Sequence, residues 1–268
     1  MTAAMTAAMT YVIVGLLGLL VGSFLNVVIY RVPRGESVVA PASHCPACGR
    51  PIRSRHNIPV LGWFLLRGRC ADCDAPISAR YPLVEGATAV LFVAVAVQLN
   101  HMQLLAALPA WLYFTAIGLA LAAIDLEHRR LPNAIVLPSY PVLAALLTLA
   151  SAITGDWWAL GRAAIGGLAL FLFFFGLAFV YPAGMGMGDV KLGGLVGGVL
   201  AYMSWAALVI GAFAGFLLGA LVGGALLATR RAGRKTAIPF GPFMIAGALL
   251  ALPIAAPLAD FYLSLLGG

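Results

Sequence analysis

Two aspartates stand where long apolar runs give way to polar sequence. Asp125 follows Ala123-Ile124 and opens the stretch Leu126-Glu127-His128-Arg129-Arg130-Leu131-Pro132-Asn133, while Asp189 ends Gly184-Met185-Gly186-Met187-Gly188 and precedes Val190-Lys191. An ionisable group at the edge of an apolar phase is costly, so one that is kept there is a candidate for function. If the two carboxylates meet, they share one proton, because adjacent like charges do not ionise together easily. The ionised partner can then draw a proton from a bound water, while the protonated one polarises a carbonyl and protonates a leaving amine. Asp125 and Asp189 are therefore the expected catalytic pair for amide hydrolysis. Structural roles compete with this reading: Asp189 as N-cap of the helix it begins, Asp125 as partner of Arg129 one turn later. Gly186 and Gly188 would let a peptide or a neighbouring helix approach closely. Lys191 either orients Asp189, anchors substrate, or is one more basic flanking charge.

The second cluster is made of sulfur. All four cysteines lie in two matched pairs, Cys45-Pro-Ala-Cys48 and Cys70-Ala-Asp-Cys73, with 21 residues between them. Two such knuckles can set four thiolates tetrahedrally around one zinc ion. Four protein ligands leave no open position, so the metal would fold the segment rather than catalyse. A disulfide pair is the competing reading, disfavoured if the segment faces a reducing compartment.

The elements that must carry these groups are membrane helices. Apolar residues make up 63% of the 268 and charged residues only 9%, against about 25% charged in a soluble domain. Uncharged runs of ~20 residues are long enough to cross the hydrocarbon core as helices, and the alternation of a membrane β-barrel is absent. The first apolar run lacks a preceding basic residue and so does not resemble a secretory signal. The pattern predicts an all-α polytopic membrane protein with about eight spans, near 9–30, 82–99, 104–124, 134–152, 158–181, 189–203, 205–229 and 238–263. Eight spans put fifteen of the sixteen Lys and Arg residues on one side, Arg31 to Arg80 supplying eight of them, and leave only Arg162 opposite. That side is the cytoplasm by the positive-inside rule, so both termini would face the periplasm. The +7 charge then reflects topology and does not imply a nucleic-acid partner. Trp157, Trp158, Tyr202 and Trp205 fit an interfacial aromatic belt. Gly211, Gly215, Gly219 and Gly223, like Gly193/Gly197 and Gly194/Gly198, would form small faces for close helix packing. Pro109, Pro138, Pro141 and Pro253 would kink their helices.

Read together, these segments resemble the bacterial type IV prepilin peptidases, bifunctional leader peptidases and N-methyltransferases among the Gly-x-Gly-Asp intramembrane aspartic proteases. The resemblance rests on Gly22-Ser-Phe-Leu-Asn-Val-Val-Ile-Tyr-Arg31, the paired Cys-x-x-Cys segment, Asn57-Ile-Pro-Val-Leu61 and Tyr81-Pro-Leu-Val-Glu85. It continues through the Asp125–Asn133 stretch, Gly186-Met-Gly-Asp-Val-Lys191 and Ile238-Pro-Phe-Gly-Pro-Phe243. It implies cleavage of the basic leader from type IV prepilins and type II secretion pseudopilins, after a Gly at the cytoplasmic face of the bacterial inner membrane. It also implies methylation of the new N-terminus with S-adenosylmethionine as donor. Asp125 and Asp189 match the family's catalytic pair. The substrate's apolar helix would lie in the lipid and enter sideways between spans.

By the same resemblance, 1–30 is a first transmembrane helix, 31–81 a cytoplasmic zinc-knuckle loop linked to methyl transfer, 82–124 the next two spans and 125–268 the peptidase core. Glu85, at a span entrance, is a candidate for holding the substrate amine or the methyl donor, with Glu36 a weaker one. No Gly-x-Gly-x-x-Gly unit marks a dinucleotide-type fold. A peptidase without methyl transfer is the near alternative. A proton- or ion-coupled transporter is the distant one, disfavoured because such sites lie near mid-bilayer and both aspartates are at one edge. A zinc-loop binding protein on a membrane anchor would not need eight spans.

Overall fold

The computed structural model describes residues 3–182, 184–229 and 238–267. Arg230, Arg231, Arg234 and Lys235, counted above among the basic residues, lie outside them. Among the described residues there are no strands. Nine α-helices appear: α1 Ala3–Arg31, α2 Leu61–Leu65, α3 Arg80–His101, α4 Leu108–His128, α5 Asn133–Thr154, α6 Trp157–Val180, α7 Met187–Met203, α8 Trp205–Ala228 and α9 Gly241–Gly267. Eight of these are the expected spans. Seven are long and apolar enough to cross a membrane, and the chain is a multi-pass membrane protein. The eighth, α7, has 17 residues and is about 25 Å long.

The chain divides into two compact units, residues 1–97 and 98–268. In the first, α1 lies directly on α3. A side chain at Gly18 would run into the backbone of Ala89, and one at Gly22 into the Cα of Glu85, so glycine is what allows the close approach. The polar loop between these helices holds the four cysteines described below.

In the second unit α7 is the buried centre, with Leu192, Val199, Leu200 and Ala201 fully enclosed. It runs beside α6, where Gly166 and Gly197 interlock backbone against side-chain-free backbone. The expected glycine face of α8 is turned to α9: Gly211 meets Ala251, Gly215 meets Phe243 and Met244, and Gly219 meets Phe240. Gly247 of α9 supplies the reciprocal gap against Gly211 and Gly215. Arg162, the basic residue on the minority side, is not a stray charge. Its guanidinium donates to the carbonyls of Ala201, Tyr202 and Met203, which are acceptors left open at the end of α7.

Two expectations about side chains are corrected. Trp157, Trp158 and Trp205 are exposed at helix starts as a belt requires, but Tyr202 is buried, its hydroxyl 3.2 Å from that of Ser151. Pro109 does not kink a helix: it sits in the first turn of α4, where a missing N–H costs nothing. Pro138, Pro141 and Pro253 do lie inside α5 and α9.

Candidate active site and metal centre

Three helix ends build the acidic corner of the second unit. Asp125 lies in the last turn of α4, which Arg129 closes in a left-handed conformation (φ 50°), its N–H bonded to the Asp125 carbonyl at 2.8 Å. The Asp125 side chain is buried, and its Oδ2 accepts the backbone N–H of Gly241 at 3.2 Å. Gly241 is the first residue of α9, so the carboxylate faces the positive end of that helix. The expected pairing of Asp125 with Arg129 through side chains is not present. Arg129 acts through its backbone.

Asp189 is the third residue of α7, whose N-cap is Gly186 rather than Asp189 itself. Its Oδ2 reaches back to accept the Gly186 N–H at 3.2 Å, satisfying one donor of the open first turn. The N-cap expectation thus shifts by three residues: Asp189 does serve the helix start, from inside it. Leu131 ties the two carboxylates together. Its side chain stands 2.9 Å from where a Cβ on Gly188 would be and 3.2 Å from where one on Gly241 would be. It therefore fills the space between the first turns of α7 and α9.

Lys191 turns away from the carboxylates. Its Nζ donates to Asn133 Oδ1 at 3.0 Å, and its carbonyl accepts the Tyr140 hydroxyl at 2.6 Å. It joins α7 to the start of α5. The Gly241 amide was missed as a participant from sequence. Within Ile238–Phe243, Gly241 opens α9 and its amide bonds Asp125.

The candidate metal centre lies in the first unit. The sulfurs of Cys45, Cys48, Cys70 and Cys73 all lie within 4.8 Å of one another, and those of Cys45 and Cys73 are 3.8 Å apart. A metal–sulfur bond of ~2.3 Å in a tetrahedron implies sulfur–sulfur edges of about 3.8 Å, whereas a disulfide would need ~2.05 Å. The four cysteines can therefore hold a metal ion. Each knuckle is built alike: Gly49 N–H bonds Cys45 O, and Asp74 N–H bonds Cys70 O, at 2.8 and 3.0 Å. Gly49 (φ 69°) and Asp74 (φ 60°) hold the same left-handed position, which Asp tolerates better than most residues. Backbone amides of Cys48 and Ala47 draw the Cys45 thiol down to about 7. At Cys73 the Ala75 amide also favours thiolate, but burial and the three neighbouring sulfurs outweigh it and push that thiol up to about 12. A divalent cation would remove this conflict by accepting all four thiolates.

Glu85 is buried on α3 of the same unit. Its Oε2 accepts the Val60 N–H at 2.6 Å. Val60 holds φ 62° and ψ −54°, a strained conformation for a β-branched residue that persists only where partners enforce it. Glu85 thus pins the loop to α3. Glu36 is exposed, its amide bonded to the Arg31 carbonyl.

Comparison with known proteins follows the same division. A family model for the bacterial peptidase A24 N-terminal domain matches residues 16–99, and one for the type IV leader peptidase family matches 112–224. Among curated relatives, the prepilin leader peptidase/N-methyltransferase of Aeromonas hydrophila is 36% identical, over 94% of this chain and 93% of its own. That of Pseudomonas putida is 38% identical over 91% of each chain, and that of Bacillus subtilis 33% over 92% and 96%. No solved structure matches. By the extent of these matches over both units, the chain belongs to the type IV leader peptidase family.

Proposed function

We propose that the protein removes the basic leader from type IV prepilins and type II secretion pseudopilins, after a Gly at the cytoplasmic face of the bacterial inner membrane, and then methylates the new N-terminus. What supports the peptidase reading is that Asp125 and Asp189 each accept a backbone N–H at a helix start, and that the first turns of those two helices pack on the same Leu131 side chain. A water between them loses a proton to the ionised aspartate and attacks the scissile carbonyl, whose oxygen takes the proton of the other. The first aspartate then passes its proton to the amide nitrogen. The C–N bond breaks, and the diol returns a proton to the second aspartate. Gly188 lets Leu131 pack against the first turn of α7, and Lys191 braces α7 on α5 through Asn133. An apolar cavity of about 420 Å³, lined by Tyr140, Leu143, Gly167, Gly194 and Gly198, follows α7 away from Asp189 and suits lateral entry of an apolar segment. Kinship speaks against a transporter.

Zinc is the metal that best suits four thiolates with closed tetrahedral geometry. It would hold residues 31–81 as a folded loop, while 1–30 and 82–124 are membrane helices and 125–268 the peptidase core. Methyl transfer from S-adenosylmethionine comes to this chain from its relatives' names. Glu85 and Glu36 are candidate carboxylates for it in the loop unit, with Glu85 Oε2 already engaged by the Val60 N–H. The basic loop supports a cytoplasmic placement, with both termini periplasmic.

The test is mass spectrometry of a prepilin incubated with the purified chain, with and without S-adenosylmethionine. The reading requires loss of the leader in both cases and one added methyl only with the donor. An intact leader contradicts the peptidase assignment, and an unmodified mature N-terminus contradicts the transferase.

A further inference from the structure

The metal-binding loop carries an apolar face that its own fold leaves uncovered. Within α2, Leu61, Phe64 and Leu65 are 59, 62 and 73% exposed, and their spacing puts them on one side of the helix. The opposite side is packed: Gly62 lies against the His56 carbonyl, and Trp63 donates from Nε1 to Ile77 O at 3.0 Å. Ile58 adds to the same patch at 44% exposure. Large contiguous apolar patches with a polar rim mark contact surfaces.

The position of α2 identifies what covers it. Val60, the residue just before α2, is hydrogen-bonded to Glu85, the sixth residue of the membrane-spanning helix α3, Arg80–His101. At 1.5 Å per residue, this attachment lies about 7 Å inside the start of that span. Leu83, in the same turn of α3 as Glu85, is 68% exposed, so α3 presents apolar side chains outward at the level where the loop is attached. The charges agree. Arg50 and Arg53 share Asp72, and Arg69 pairs with Asp74, whereas the exposed Arg55 and Arg67 flank the patch without an ion pair among the described residues. Apolar side chains with a basic border are the pattern of an interfacial helix on anionic lipid.

We propose that α2 lies in the headgroup region of the bilayer, with Leu61, Phe64 and Leu65 among the acyl chains and Arg55 and Arg67 on anionic phosphates. The loop is then held by three attachments: the metal, the Glu85–Val60 bond and the lipid surface. This goes beyond the peptidase and transferase assignments and stands if either fails, since it rests only on the membrane spans and the loop.

The experiment replaces Phe64, in the full chain, with the photo-crosslinking residue p-benzoylphenylalanine, in nanodiscs of phosphatidylethanolamine and phosphatidylglycerol without substrate. Ala47, at the exposed tip of the first knuckle, carries the same probe as a control, and Leu65 serves as a second site if the Phe64 probe disturbs folding. The expected result is phospholipid adducts at 64 or 65 and none above background at 47. Phosphatidylglycerol should be enriched in the adducts, and Arg67→Gln should reduce that enrichment. Adducts to protein alone would assign the patch to a protein partner, and equal lipid labelling at 47 would show that it has no special depth. Either overturns the proposal.

Discussion

Gly241→Ala adds one methyl group where the corner has no room for it. The new Cβ would stand 2.8 Å from Asp125 Oδ2 and 3.2 Å from a Leu131 methyl. A carbon–oxygen contact settles at roughly 3.3 Å or more, so the carboxylate must retreat by about half an ångström or rotate. Both movements weaken the bond that Gly241 N–H donates to Asp125. A hydrogen bond to a charged group contributes about 1.5–3 kcal/mol, and each 1.36 kcal/mol on a barrier is tenfold in rate. The expected loss in kcat/KM is therefore roughly 10- to 100-fold, with the protein still folded. The assay is leader release from a full-length prepilin in nanodiscs, across substrate concentrations. Gly224→Ala is the control, because nothing lies within 4 Å of a Cβ there and Ala favours helix by up to ~1 kcal/mol. A folded Gly241→Ala protein that cleaves at the unmodified rate would refute the claim that this amide positions Asp125.

Three further outcomes can be checked. Cys45→Ser should abolish stoichiometric metal binding, measured by elemental analysis; full retention would remove the four-sulfur assignment. Glu85→Ala should free the Val60 amide and speed hydrogen exchange across 58–66, while Glu85→Gln, which keeps an acceptor oxygen, should not; equal exchange in both variants would contradict the latch. Arg162→Ala leaves three carbonyls at the end of α7 unpaired and should cost on the order of 2 kcal/mol. It would be read as a lower temperature of thermal inactivation, with Arg162→Lys restoring only part because ammonium lacks the guanidinium fork.

Hydropathy and charge made the helical frame legible, because a membrane demands long uncharged helices and sorts basic residues by side. The Cys-x-x-Cys spacing likewise located the metal centre, since knuckle geometry is local. The partners were harder to read. Gly241 meets Asp125 from 116 residues away, and no periodicity encodes a backbone amide's direction. Asp189 read as an N-cap because Asp favours that place, yet Gly186 took it and Asp189 served from the third position. Lys191 looked like a partner for Asp189 by proximity in sequence, but a helix turns neighbours two residues apart to different sides, and its ammonium found Asn133 instead. Tyr202 has the composition of a belt residue and the environment of a core one, a distinction set by Ser151 on a neighbouring helix. The uncovered face of α2 was unreadable because a five-residue helix gives too short a pattern to register.

The central claim is that Asp125 and Asp189 act as one hydrolytic unit. Its most direct test is the rate of leader release by Asp125→Asn and by Asp189→Asn, each in the same nanodiscs with the same prepilin and each shown to be folded. The account predicts that both fall at least ~100-fold. Cleavage by either variant at a rate close to the unmodified enzyme's would contradict it.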